Sequence, residues 1–363
     1  MTAVSQTQYP CAGCGASVEF APGTSVLRCP YCGFETPLQG DGRAVREHDF
    51  RAFAALPRKP VATLAPHVFT CRNCGAQTSS DRISDRCQFC GAPLVATTDA
   101  ADQVVPEAVL PFAVEKSAVR EHLKGWVKTR WFAPSQLKKV TEAETAHSTY
   151  LPHWTFDSST WSYYNGQRGD YYYVTETYTE TVNGESQTRT RQVRKTRWTS
   201  VSGQVSRAFD DVLVAGTTHV TPKHLDALEP WPLGAAEPYR PEFLAGHETL
   251  RYDVEPEAGF GVARGRMDDQ IRDDCRRDIG GDEQRVHEVN TDYRDLTFKL
   301  MLLPVWIAAY LYAGKTYTVL VNGRTGEVAG ERPYSKVKIA AAIVAALALI
   351  TAIILFFVLR NQR

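Results

Sequence analysis

The sequence predicts an α+β chain built mostly from strands, with a cysteine-rich region in front and one long apolar helix behind. Three observations carry that prediction. Four Cys-x-x-Cys-Gly motifs fall at Cys11, Cys29, Cys71 and Cys87. From Tyr150 onward the apolar residues recur with period two, and Asn-Gly pairs punctuate them. Residues 339–359 carry no charged side chain.

The chain has 363 residues, 41 basic and 41 acidic. That length allows two or three domains, and 43% hydrophobic residues suffice for a core. A balanced charge supplies no general attraction to nucleic acid. The N-terminus, Met1-Thr-Ala-Val-Ser, lacks a basic start and an apolar run, so no secretory signal is expected.

Eight of the nine cysteines are paired. Cys11-Ala-Gly-Cys14 and Cys29-Pro-Tyr-Cys32 form one set; Cys71-Arg-Asn-Cys74 and Cys87-Gln-Phe-Cys90 form another. Fourteen residues separate the pairs in the first set and twelve in the second, each the length of a short hairpin. Two such turns bring four thiolates around one Zn²⁺. Gly15, Gly33, Gly75 and Gly91 follow the pairs, and glycine turns tightly enough to aim N–H groups at sulfur. The sets read as a duplicated zinc ribbon, residues 1–38 and 67–96, holding two structural Zn²⁺ per chain. This usage belongs to a reducing compartment. A site with four cysteine ligands has no open position for metal-bound water. Residues 1–100 contain nine Lys/Arg and eight Asp/Glu. Two zinc–tetrathiolate centres would bring the region to about −3, which disfavours phosphate binding. Residues 39–66, with Pro57, Pro60 and Pro66, read as a linker.

The body is expected over 105–335. Val119, Leu123, Trp126 and Val127 lie at helical spacing within 115–130, and a second helix start follows Pro134 at Ser135. Asn165-Gly166 and Asn183-Gly184 both read as hairpin turns. Around the second, facing residue numbers sum to 367, pairing Glu176 with Arg191, Tyr178 with Arg189 and Asp170 with Arg197. The basic run Arg189, Arg191, Arg194, Lys195, Arg197 then meets carboxylates and tyrosines rather than forming an anion patch. Over 262–279, Met267, Ile271 and Cys275 make the apolar stripe of a helix, so Cys275 is a core thiol, not a nucleophile. Its neighbours Asp268, Asp269, Arg272 and Asp273 read as a solvated face.

Leu303-Pro-Val-Trp306 echoes Leu151-Pro-His-Trp154, a faint sign of two related β units. Ala309 to Thr316 fits a loose phosphate-loop pattern, but its bulky residues and the strand-like Tyr317–Val321 make Gly314-Lys315 a hairpin turn instead. No nucleophile elbow, His-Glu-x-x-His or dinucleotide fingerprint is present.

Ile339 to Leu359 is apolar all round, and at 1.5 Å per residue it spans about 31 Å, the thickness of a bilayer core. It reads as a single-pass transmembrane helix. Arg332, Lys336 and Lys338 precede it and Arg360 and Arg363 follow. With flanking charge this even, the missing signal and the reduced thiols place the body in the cytoplasm.

The paired Cys-x-x-Cys-Gly sets, Val109–Val114, Trp131-Phe-Ala-Pro134, Tyr150–Asp157 and Asn322–Gly326 together resemble a bacterial family of tail-anchored membrane proteins with TFIIB-type zinc ribbons, the YdjG type. Its members are often labelled primosomal-helicase-like, yet this chain lacks helicase ATPase motifs. The resemblance implies recruitment of SPFH-domain or phage-shock-type proteins to the membrane under envelope stress. The expectation is therefore a non-enzymatic membrane adaptor with a protein partner, no catalytic residue and no small-molecule substrate. The alternative is a membrane-tethered nucleic-acid-binding or replication-associated protein, with nucleic acid disfavoured on charge.

Overall fold

A computed structural model describes residues 6–361 except 8, 39, 41, 55–66, 71–76, 81, 87–92, 97–103, 135–136, 138–145, 183–184 and 332–333. The architecture is α+β and mostly strand. Three long strands dominate: Ala146–Val182, Glu185–Ala215 and Glu283–Tyr312. The first lies in the middle and pairs antiparallel with both others.

The predicted register around residues 183 and 184 holds. Glu176 faces Arg191, Tyr178 faces Arg189 and Asp170 faces Arg197. Lys195 and Arg191 reach Glu176 at 3.1 and 3.6 Å, and Arg189 reaches Glu180 at 3.1 Å. Arg194 lies 4.1 Å over the Tyr171 ring. These exposed contacts are the ordinary cross-strand kind.

Asn165-Gly166 is a correction. It forms no hairpin turn; the strand runs through it, with a register shift on the side of the third long strand. The local Asn-Gly preference loses to three-stranded pairing. Gly166 serves close approach: a Cβ there would stand 2.3 Å from the Arg285 carbonyl oxygen. The turn expected at Gly314-Lys315 lies one residue earlier, at Ala313-Gly314, whose φ values of 50° and 77° suit a tight hairpin. It joins two strands and opens no helix, so it offers no phosphate cradle. The two Leu-Pro-x-Trp segments are direct neighbours, with Leu151 opposite Leu303.

The helix Lys116–Lys128 buries Val119, Leu123 and Trp126 as its spacing predicts. The second helix start at Ser135 falls outside the described residues. A long helix, Pro256–Ile279, covers one face of the long strands and buries Ala263, Met267, Ile271 and Cys275. Burial pushes the Cys275 thiol up from its ordinary pKa, as suits a core cysteine. Arg207 clamps this helix through two 2.6 Å bonds to Asp274. Beneath it pack Trp154, Phe156, Tyr252 and Phe298.

The linker expectation also needs correction. His48–Asp49 adds to the third long strand at Thr297–Phe298. Phe50 sinks between Phe156 and Phe298, 5.9 and 5.5 Å from their rings. Apolar burial of one phenylalanine is enough to hold a segment that composition alone marks as loose. Residues 55–66 lie outside the described ones.

The terminal helix, Lys336–Asn361, contains the apolar run Val337–Phe357, none of it buried in the protein. It is long and apolar enough to cross a membrane.

Candidate metal centre

Two short turns build the first cysteine cluster, and they are near copies. The Gly15 N–H donates to the Cys11 carbonyl at 2.9 Å, and the Gly33 N–H to the Cys29 carbonyl at 3.0 Å. Both glycines take positive φ, 75° and 73°, which a side chain would strain. The three-stranded sheet of Glu19–Phe20, Val26–Arg28 and Glu35–Pro37 carries the second turn toward the first.

The sulfurs of Cys11, Cys14, Cys29 and Cys32 all lie within 4.8 Å of one another. Cys11 and Cys32 are 3.5 Å apart, and Cys14 and Cys29 are 3.6 Å apart. A tetrahedron with Zn–S bonds of about 2.3 Å has edges of about 3.8 Å, so this set fits zinc. Cys11 and Cys29 are buried, while Cys14 and Cys32 face solvent.

Electrostatics agree with a cation in the middle. Backbone donors at Cys14 and Gly13 hold the Cys11 thiol below its usual value, and the Gly13 N–H lies 3.3 Å from its sulfur. Backbone donors at Cys32 and Tyr31 bring Cys29 down to about 7. The N–H at Phe34 favours the Cys32 thiolate too, but crowding by Cys11 and Cys14 overrides it and pushes Cys32 up to about 12. Four thiolates this close need a dication before the last can ionise.

The cluster is not a free arm. Val18, Phe20 and Leu27 share a core with Val109, Phe112 and Tyr150 of the body. The Phe20 N–H donates to the Ala245 carbonyl at 2.9 Å, and Arg86 reaches Glu19 at 3.0 Å. Spacing in sequence predicted the cluster but could not show this docking. A cavity of about 640 Å³ lies along the seam, lined in part by Phe20, Arg28, Arg86, His247 and Trp306. Burial holds the His247 imidazole neutral, with its pKa down to about 3.

Cys71, Cys74, Cys87 and Cys90 lie outside the described residues. Their flanking strands are described: His67–Thr70 pairs with Gln77–Ser80, and Ser84–Arg86 with Pro93–Ala96. Each cysteine pair therefore falls in sequence between two antiparallel strands, as Cys29 and Cys32 do between Val26–Arg28 and Glu35–Pro37.

Sequence reasoning missed one polar cluster. Asp157, Asp210 and Asp211 gather where both pairings of the first long strand are irregular. The Lys299 ammonium, almost wholly buried, bonds Asp211 and Glu47. Burial alone would lower its pKa, but those two bonds carry it above the ordinary lysine value. It is an internal counterion, and Glu47 ties the inter-ribbon segment to the sheet. Only the irregular pairing creates it, so no linear spacing announces it.

No family model matches the chain, and no solved structure matches it. Over 354 residues it is 22% identical to an uncharacterized protein, YdjG, of Bacillus subtilis (strain 168), covering 92% of each chain. A similarity of that extent involves the body as well as the cysteine motifs.

Proposed function

We propose that this chain is a membrane-anchored zinc-ribbon adaptor that recruits a soluble protein to the inner face of the cell membrane. The observation that carries it is a closed four-cysteine cluster clamped to a β-rich body that continues into an apolar helix. Zinc in such a site holds a fold together and leaves no position for substrate. We assign a second zinc to Cys71, Cys74, Cys87 and Cys90 on their matching Cys-x-x-Cys-Gly motifs. The body faces the cytoplasm in this proposal, and the protein catalyses nothing.

A surface for a partner is at hand. Beyond Gly169 the third long strand ends, and Asp170–Arg197 continues as a two-stranded ribbon. It extends about 40 Å at 3.3 Å per residue. Among the described residues neither of its edges pairs with another strand. Such edges accept an added strand from a partner. The family resemblance of the sequence motifs implies an SPFH-domain or phage-shock-type partner acting under envelope stress, and we adopt that class of partner here.

The test follows that partner, tagged, by microscopy in cells with and without this protein. Recruitment should fail when residues 336–361 are deleted. A partner that stays at the membrane in cells lacking the protein would defeat the adaptor role and bring nucleic-acid binding forward.

A further inference from the structure

The turn Trp131–Pro134 meets the start of the terminal helix. The Ser335 N–H donates to the Phe132 carbonyl at 2.8 Å. The Lys338 ammonium donates to the carbonyls of Ala133 and Trp131 at 2.7 and 3.3 Å. These bonds fix the turn at the level of Lys338, one residue inside the apolar run Val337–Phe357. Yet Trp131 is 82% exposed and Phe132 44% exposed, a costly display of aromatic surface in water.

Two hollows flank the turn, and their chemistries differ. One, of about 380 Å³, is lined by Lys128, Arg130, Trp131 and Lys338 among others, with no carboxylate among the described residues of its wall. The other, of about 420 Å³, is lined, among the described residues, by Phe132, Tyr334, Ile339, Ala342, Ile343 and Ala346. Its helical wall runs about 10 Å down the axis from Ile339 to Ala346. A cationic hollow sits above an apolar slot, and an interfacial tryptophan belongs to the first.

The geometry points to a binding site for an anionic phospholipid. Lys128, Arg130 and Lys338 hold the headgroup phosphate, and an acyl chain lies along Phe132, Ile339 and Ile343. This inference rests on the membrane-anchor reading above. It has a mechanical consequence. The body is seated on the bilayer rather than hung from it, because the turn shares a core with Leu137 and Ala146 at the base of the long strands. The basic run Arg189–Arg197 lies toward the opposite end of those strands, so it is not the lipid contact.

The experiment reconstitutes the full chain into vesicles of phosphatidylcholine with one-fifth phosphatidylglycerol, each lipid brominated in turn on its acyl chains. Bromine quenches tryptophan fluorescence at short range. The difference between the wild type and Trp131→Phe isolates Trp131 from the other six tryptophans. We expect Trp131 to be quenched, and, relative to mole fraction, more strongly by brominated phosphatidylglycerol. Lys128→Ala/Arg130→Ala should keep the quenching but reduce that preference about 25-fold, since each cation near an anionic surface contributes about fivefold. Quenching of the wild type by the two lipids in simple proportion to their mole fractions overturns the headgroup site. No Trp131 quenching in chains that float with the vesicles overturns the seat entirely. A chain that does not float at all refutes the anchor itself, a separate failure.

Discussion

Lys299→Met tests the buried counterion. The substitution keeps the aliphatic stem and removes the charge. Lys299 has 7% of its side chain exposed, while Glu47 and Asp211 retain 33% and 28%. Breaking a fully buried ion pair costs about 3–5 kcal/mol, and partial exposure of the carboxylates reduces this to about 2–3 kcal/mol. For a body of this size that is about 5 °C in Tm. The pH dependence has a definite sign. Burial already raises the pKa of Glu47 and Asp157 against the pull of Lys299. Losing the ammonium raises both further, so the folded variant binds more protons than its unfolded chain. Its stability then falls as pH rises through the carboxylate range and recovers as pH drops. Thermal unfolding of the full chain in detergent, wild type against variant at pH 7.5 and 5.5, reads this directly. Any effect on the zinc thiolates cancels in the difference. A variant as stable as the wild type at pH 7.5, or a deficit no smaller at pH 5.5, would refute the counterion role.

Four further outcomes are expected. Cys29→Ser should lower bound zinc from two ions per chain to one by elemental analysis and loosen the seam at Phe20, because each set is self-contained. Gly166→Ala should cost about 2–3 kcal/mol in denaturant unfolding, since its Cβ meets backbone that cannot step aside. Gly125→Ala, in a helix with nothing within 4 Å, should be neutral or stabilising by up to about 1 kcal/mol. Replacing Asp170–Arg197 with a short turn should leave body stability within about 1 kcal/mol, because only exposed pairs are lost. It should nonetheless abolish partner recruitment in the microscopy assay.

Some of this protein is written in linear spacing. Ligand geometry dictates Cys-x-x-Cys-Gly, so Cys11, Cys14, Cys29 and Cys32 were identifiable before any fold. Bilayer thickness dictates the length of the apolar run. The period of a helix placed Met267, Ile271 and Cys275 in the core, and the arithmetic of one tight turn set Glu176 against Arg191. Each is a local rule with a fixed length scale. What only the tertiary structure decided involves a third element arriving from far along the chain. Asn165-Gly166 carries the same local signal as Asn183-Gly184, but at Gly166 the third long strand arrives and the chain runs straight on. Phe50 turns part of a proline-rich linker into core because Phe156 and Phe298 meet there. The same holds for Lys299 with Glu47, and for Trp131 beside Lys338. Such contacts depend on which distant surfaces meet, and that is set by the summed burial and pairing of the whole body rather than by any short stretch of its sequence.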